Sequence, residues 1–136
     1  MKISNVELLR YSKQIILKKI GISGQKKISS TRVLIVGVGG LGCPLALYLT
    51  NTGIENIGIV DNDKVDVSNL NRQILFNKTD VGKYKVVQAR KFLKKINKKV
   101  KINIYKYWLT KKNIKNIISK YDIICDCSDN FTTRYL

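Results

Sequence analysis

The sequence contains no histidine and only three cysteines among its 136 residues, Cys43, Cys125 and Cys127. Histidine and cysteine are the main zinc ligands in proteins, and no C-x-x-C pair is present, so we do not expect a zinc site within this chain. Three such cysteines also argue against a disulfide framework. We interpret them as buried, reduced thiols, which are typical of a cytoplasmic protein.

Long apolar runs are also missing. No stretch is long enough to cross a membrane, and Met1 is not followed by the apolar region of a signal peptide. We therefore expect no membrane association.

Acidic residues are few, since 9 Asp and Glu stand against 26 Lys and Arg, which gives a formal net charge of +17. Such an excess is typical of proteins that bind nucleic acid. Here, however, the lysines are spread along the whole chain, and no basic stripe alternates with aromatic residues. We therefore interpret most lysines as a solvated surface that attracts phosphate, and we do not expect nucleic-acid binding.

The segment from Arg32 to Gln73 organises the rest of the chain. Its pattern predicts an apolar strand, a glycine-rich turn, a helix and a second apolar strand, which ends on an acid. In order, these are Val33–Val36, Gly37–Gly42, Leu41–Thr52, Ile57–Val60 and Asp61.

The glycines Gly37, Gly39 and Gly42 match the pattern G-x-G-x-x-G between a strand and a helix. Glycine allows a tight turn and a close approach of phosphate to the backbone, and the helix N-terminus attracts anions. Asp61 follows about 20 residues later, where a carboxylate can accept two ribose hydroxyls. The sequence thus predicts a nucleotide site; the alternative is a glycine turn without a ligand.

The remaining pattern extends this unit on both sides. Ser4 and Glu7 form a capping box for an N-terminal helix that should end near Gly21, and residues 23–30 resemble a short, polar helical turn or a linker. Residues 62–84 form a long polar loop, which Ile74, Leu75 and Phe76 should pack against the core. Further elements are predicted at Lys83–Asn97 (helix), Lys101–Leu109 (strand), Thr110–Tyr121 (helix, capped by Thr110), Asp122–Asp126 (strand) and Phe131–Leu136 (helix start).

This order predicts an α/β fold: a Rossmann-like, doubly wound and mostly parallel sheet with an N-terminal helical extension. We assign residues 1–31 to the extension and residues 32–136 to the nucleotide-binding domain. In such sheets, ligands bind beyond the carboxyl ends of the strands.

Several polar residues fall near those ends. Arg72 and Lys85 follow the acid, and the pair suits a triphosphate better than a dinucleotide. Asp129 follows the last predicted strand, where it could bind Mg²⁺ through oxygen. The alternatives are ordinary surface charges for Arg72 and Lys85, and a helix cap for Asp129.

At these positions the sequence resembles the ThiF/MoeB/HesA adenylyltransferases, relatives of the ubiquitin-activating enzymes. The matching strings are RYSKQIIL at 10–17, GxGGLG at 37–42, DNDxVxxSNLNRQ at 61–73, VGKxKV at 81–86 and DCSDNxxTR at 126–134. The resemblance covers nearly the whole chain in the right order.

The resemblance implies an ATP-dependent, cytoplasmic adenylyltransferase that joins AMP to the C-terminal glycine of a ubiquitin-like sulfur-carrier protein. Gly37, Gly39 and Gly40 would line the ATP, and Asp61 would bind the ribose. Asn69, Arg72 and Lys85 would bind the phosphates, with support from Gln73. Asp129 would bind Mg²⁺, with Asn130 beside it. Asp63 and Ser68 are further implied contacts to the nucleotide. Catalysis would depend on Asn69, Arg72, Lys85 and Asp129.

The resemblance also implies a homodimer, in which the residue at position 13 reaches the partner's ATP site. Lys13 stands where the family has arginine, so the charge is kept and the fork geometry is lost. The family continues well past position 136, with its carrier-binding surface and zinc cysteines. We therefore expect the nucleotide-binding part of such an enzyme, with weak or no carrier adenylation by these residues alone. The alternatives are a non-catalytic ATP-binding remnant and an NAD-dependent oxidoreductase.

Overall fold

A computed structural model describes residues 3–136 and contains one four-stranded parallel sheet. The strands are β1 (Arg32–Val36), β2 (Asn56–Val60), β3 (Lys101–Tyr105) and β4 (Ile123–Asp126). The helices are α1 (Asn5–Arg10), α2 (Ser12–Ile15), α3 (Gly21–Ser30), α4 (Gly42–Thr52), α5 (Lys85–Ile96), α6 (Ile114–Ile118) and α7 (Phe131–Arg134).

The strand order is β3-β2-β1-β4, and each neighbouring pair is parallel. Val36 at the end of β1 pairs with Val60 in β2 and with Asp126 in β4, and Val60 pairs with Tyr105 in β3. Because the four strands end in register, the segments that follow them meet at one edge of the sheet. The predicted doubly wound α/β fold is confirmed.

The central strands β1 and β2 are covered on both faces, because alternate strand residues point to opposite sides. Val33, Ile35, Ile57 and Ile59 join the larger core, which includes residues of α4 and α5. Leu34, Val36 and Val60 pack instead with Leu109 and with Ile117 of α6. The sheet is therefore apolar on both sides, as parallel sheets in α/β proteins are.

The single N-terminal helix expected from Ser4 to Gly21 is wrong. The capping box is present, with Ser4 Oγ accepting from the Glu7 N–H, but α1 ends at Arg10 and α2 at Ile15. The break falls at Tyr11, whose side chain is buried. Residues 23–30 were expected to form a short helical turn or a linker, and they belong to the ten-residue helix α3 (Gly21–Ser30).

Two boundaries in the second half also differ. The alternation of apolar and polar residues predicted a strand from Lys101 to Leu109, but β3 ends at Tyr105. Helix α6 begins at Ile114 after Asn113, whose side chain accepts from the Thr110 N–H, so Thr110 is not the cap.

The long loop after β2 is packed, as expected. Leu75 and Phe76 are buried, although Ile74 is half exposed. Among residues 3–136, no helix has both the length and the apolar character needed to cross a membrane.

Candidate functional site

A cavity of about 650 Å³ opens at the edge of the sheet where the strands end. Its walls come from the glycine turn after β1, the loops after β2 and β3, the turn after β4, and α7. This is the position that ligands occupy in open α/β sheets.

The glycines of the turn have two different surroundings. Gly37 has φ +88°, and a Cβ there would lie 2.9 Å from the Cys127 carbonyl oxygen; at Gly42 it would lie 2.0 Å from the Gly37 oxygen. At Gly39 and Gly40 the nearest atoms are side-chain atoms of Gln73 and Arg72, at 3.7 and 3.5 Å. The first pair is required by the fold, whereas the second pair keeps the cavity wall free of side chains.

Asp61 lies directly after β2 and faces the turn. One carboxylate oxygen accepts the Val38 N–H at 2.9 Å, and the other accepts the Asp63 N–H at 2.8 Å. A carboxylate has about four acceptor positions, so Asp61 can still accept two further hydrogen bonds from a ligand in the cavity.

Lys85, at the start of α5, is buried, and its Nζ lies 3.1 Å from Oδ2 of the exposed Asp63. Its backbone N–H also donates to the Asp63 carbonyl at 3.0 Å. The interpretation of Lys85 as an ordinary surface charge is therefore wrong, since this ammonium is held in the lining of a cavity.

Arg72 also lines the cavity, but its guanidinium is exposed. Nη1 donates to the Ser68 carbonyl at 3.1 Å and to the Asn71 side chain at 3.0 Å. These bonds orient the guanidinium from behind and leave other N–H groups for a ligand.

Gln73 is buried beside Gly39, and its Oε1 has no hydrogen-bond partner among residues 3–136. An unpaired buried amide is uncommon in proteins and points to an absent water or ligand.

The turn after β4 brings Asp129 and Asn130 to the cavity. Asp126 holds this turn, because its Oδ1 accepts from the Ser128 N–H at 2.9 Å and the Ser128 hydroxyl at 2.6 Å. Asn130 is the N-cap of α7 and accepts from the Thr133 N–H at 2.8 Å. The helix-cap interpretation of Asp129 is therefore wrong, and its carboxylate is available to the cavity.

Three predicted site residues lie outside the lining. Ser68 and Asn69 belong to a short 3₁₀ turn (Val67–Asn69), where the Ser68 hydroxyl and the Asn69 amide bond with Asp66. Lys13 is exposed on α2 and does not line the cavity of its own chain.

The lining residues that were missed at the sequence level include Tyr107, Trp108, Leu109, Thr133 and Arg134. The first three were included in the predicted strand, so their position beyond the end of β3 was not recognised. The signal that could have found them is strand length, because a strand from Lys101 to Leu109 is longer than the other strands, which have four or five residues. Arg134 donates to the Ser128 carbonyl at 3.2 Å and braces the turn.

The thiols do not supply a nucleophile. Burial raises the pKa of Cys43 to about 11, and its Sγ lies 3.2 Å from the Val38 carbonyl oxygen beneath the glycine turn. Burial also raises the pKa of Cys127, which lines the cavity. Both remain protonated at neutral pH, as structural thiols do.

The fold and the cavity define an α/β protein of Rossmann type with a ligand site at the carboxyl ends of its strands. The chain belongs to the ThiF family, whose sequence profile matches residues 11–136. The family resemblance drawn from the motifs is therefore confirmed.

The chain is 46% identical over 135 residues to the adenylyltransferase and sulfurtransferase MOCS3 of Culex quinquefasciatus, which is 99% of this chain and 31% of that protein. It thus spans about a third of the length of such relatives.

Solved structures agree with the fold. The ATP complex of E. coli tRNA N6-threonylcarbamoyladenosine dehydratase, TcdA, superposes with a TM-score of 0.87 at 27% identity, covering 96% of this chain and 53% of that one. E. coli MccB with ATP superposes with a TM-score of 0.80 at 28% identity, covering 90% of this chain and 37% of that one.

Proposed function

We propose that this chain is the ATP-binding part of an adenylyltransferase that activates the C-terminal glycine of a ubiquitin-like sulfur-carrier protein. The observation that carries the proposal is the single cavity in which an open glycine wall, Asp61, two cations and Asp129 meet. Relatives that carry the name adenylyltransferase, and neighbours solved with ATP, support it.

The chain's contribution to such a reaction is positioning and charge neutralisation. Gly39 and Gly40 would let the phosphates approach the backbone, and Asp61 would accept the ribose hydroxyls. Arg72 and Lys85 would neutralise the charge that develops as the carrier carboxylate attacks the α-phosphorus and pyrophosphate leaves.

The Lys85–Asp63 ion pair gives this arrangement a further property. A buried ammonium needs a partner, and Asp63 supplies it while the cavity holds no anion. A polyphosphate would add to or replace that partner, so Lys85 is pre-oriented towards the ligand without being left unpaired.

Asp129 fits a Mg²⁺ ion that is bound largely through nucleotide phosphates, because Mg²⁺ usually takes only one or two protein carboxylates at such sites. Residues 3–136 hold no group of three metal-binding side chains, so the chain alone would not form an all-protein metal site. When bound, Mg²⁺ would neutralise phosphate charge and stabilise the leaving pyrophosphate.

Two weaker candidates remain as alternatives. An NAD-dependent oxidoreductase would use the glycine turn and Asp61, but it gives no role to Arg72, the buried Lys85 or Asp129. A non-catalytic remnant would bind ATP without transferring AMP, and only an activity assay separates it from the main proposal.

Calorimetry with ATP·Mg²⁺ and with NAD tests the nucleotide assignment. We expect ATP to bind and NAD to bind far more weakly or not at all; preferential binding of NAD would overturn the proposal. ATP–pyrophosphate exchange dependent on a Gly-Gly carrier tests the transfer step, which belongs to the whole protein. Nucleotide binding without exchange in the whole protein would favour the remnant.

A further inference from the structure

The loop after β3 carries the sole tryptophan of the chain into the cavity wall. Trp108 remains 54% exposed, whereas its neighbour Leu109 is buried in the smaller core. Tyr107 lines the same cavity and is 46% exposed, and exposed apolar surface in a cavity wall marks a ligand-binding groove.

The loop that presents Trp108 is fixed on both sides. Asn113 donates to the Trp108 carbonyl at 2.9 Å and accepts from the Thr110 N–H at 2.8 Å. The Tyr107 ring meets the Tyr105 ring edge to face, with 5.9 Å between their centroids. The indole is thus held on a pre-organised backbone, so binding against it would cost little loop ordering.

Trp108 also lines a second recess of about 350 Å³, together with Leu109, Asn130, Thr132 and Thr133. Four of these five residues also line the main cavity, so the two spaces adjoin. The recess lining contains no charged side chain, whereas Arg72, Lys85 and Asp63 line the main cavity. The recess is therefore the uncharged part of the combined site, although Asp129 and Arg134 of the main cavity adjoin its lining in sequence.

That polarity matches a nucleotide, in which a charged polyphosphate and an uncharged planar base lie on opposite sides of the ribose. We propose that Trp108 is the stacking surface for the purine base and determines base preference at this site. The inference rests on the proposed ATP function and extends it to a residue that no sequence motif indicated. Asn130 and Thr133 would supply polar contacts at the base edge.

The first test uses tryptophan fluorescence, because selective excitation reports Trp108 alone. Titration with ATP should change the emission with the same Kd that calorimetry gives. Inorganic tripolyphosphate, which has no base, should compete with ATP and leave the emission unchanged. Emission that responds equally to tripolyphosphate, or only to a carrier C-terminal peptide, would overturn the proposal.

The second test uses variants. Trp108→Ala should weaken ATP binding by roughly 5- to 150-fold, the range found when an aromatic partner of a stacked base is removed. Trp108→Phe should restore most of the affinity. The preference for ATP over CTP should shrink in Trp108→Ala, because purines offer the larger stacking face. Tyr48→Ala, which removes an exposed aromatic side chain of α4 outside the cavity, is the matched control.

The outcomes separate the two proposals. If the wild-type chain binds ATP and Trp108→Ala binds it equally well with an unchanged ATP/CTP preference, the role of Trp108 is refuted and the proposed function stands. If the wild-type chain binds no ATP, both are refuted. Because Trp108 is half exposed, an unchanged thermal unfolding midpoint for Trp108→Ala will exclude loss of folding as the cause.

Discussion

Two pairs of glycines after β1 differ in what an added methyl group would meet. At Gly42 it would overlap the backbone oxygen of Gly37, whereas at Gly39 it would only touch the flexible end of Gln73. The same residue type therefore serves the fold at one position and the cavity at the other. G-x-G-x-x-G predicted the turn, but only the surroundings separate these two roles.

We expect Gly42→Ala to lower the free energy of unfolding by about 1–3 kcal/mol or more, because overpacking has a cost of this size. Gly39→Ala should unfold almost like the wild type, while ATP binding weakens, because the methyl group enters the proposed phosphate space. Chemical denaturation and calorimetry on the two variants measure both effects. A Gly39→Ala chain that binds ATP normally would contradict a phosphate-binding role for this wall.

Asp61 has a structural role that the sequence did not reveal, since its carboxylate accepts two backbone N–H groups. We expect Asp61→Ala to weaken ATP binding by about 1–3 kcal/mol, because the ribose hydroxyls and the two N–H groups lose a charged acceptor. Asp61→Asn keeps one oxygen acceptor and should lose less. If both variants bind ATP like the wild type by calorimetry, Asp61 is only a strand-end acceptor.

At the scale of elements, the N-terminal extension docks on the end of α4. Gly53 ends α4 with φ +100°. A Cβ at this position would lie only 2.8 Å from Cζ of Tyr11, so the Tyr11 ring packs directly against the glycine. Gln14 and Gln25 donate to the Thr52 carbonyl at 2.9 and 3.0 Å. Gln14 of the string RYSKQIIL and Gln25 of α3 therefore satisfy the last turn of α4, as helix ends require.

Helical periodicity predicted one long N-terminal helix, because the spacing of apolar residues carries no information about how the segment packs against α4. Burial of Tyr11 against Gly53 breaks that helix, and no local pattern encodes a contact between residues so far apart in sequence. The capping box of Ser4 and Glu7 was predicted correctly, because both residues lie within the first turn of α1. The strand ends also followed from local sequence, except at β3, where alternation continued into the loop of Trp108.

The ion pair between Glu7 and Lys99 joins α1 to the turn after α5, with 2.6 Å between Oε1 and Nζ. Lys99, with further hydrogen bonds from Ser4, lowers the pKa of Glu7 to about 2 from an ordinary value of 4.5. Since the folded pKa is the lower one, ionised Glu7 stabilises the fold above about pH 4.5. This contribution is lost as the pH falls towards 2.

We therefore expect Glu7→Gln to be less stable than the wild type at pH 7 and to match it near pH 2. Lys99→Met should have the same effect at pH 7, and the double variant should lose little more than either single one. Urea denaturation at several pH values measures this. A stability difference that stays constant down to pH 2 would mean that Glu7 acts through packing or capping and not through its charge.

At the scale of the whole molecule, the doubly wound parallel sheet followed from the sequence, because each strand and crossover helix has its own apolar period. The strand order β3-β2-β1-β4 was not predicted. The meeting of Gly37, Asp61 and Asp129 at one edge followed from parallel pairing alone. The burial of Lys85 and the wall formed by Trp108 did not, since both depend on how loops pack across that edge.

The N-terminal helices leave a set of large apolar side chains exposed: Val6, Leu9, Ile16 and Leu17. Their exposed fractions run from 53% at Leu17 to 79% at Leu9, and α1 contains no buried residue. Several large apolar side chains exposed within one short segment are a candidate interface. We propose that a second copy covers it, which would also bring the exposed Lys13 towards the partner's cavity.

Sedimentation of the wild-type chain at micromolar concentration should therefore detect a dimer, and Leu9→Lys should shift it to monomer, because a buried unpaired ammonium opposes association. Phe92→Lys, which changes a less exposed apolar residue on α5, is the control and should leave the dimer intact. Lys13→Ala should leave association unchanged and weaken ATP binding only under conditions where the dimer forms. A wild-type chain that stays monomeric throughout, or a Leu9→Lys chain that still dimerises, would refute the pairing of two copies through this face.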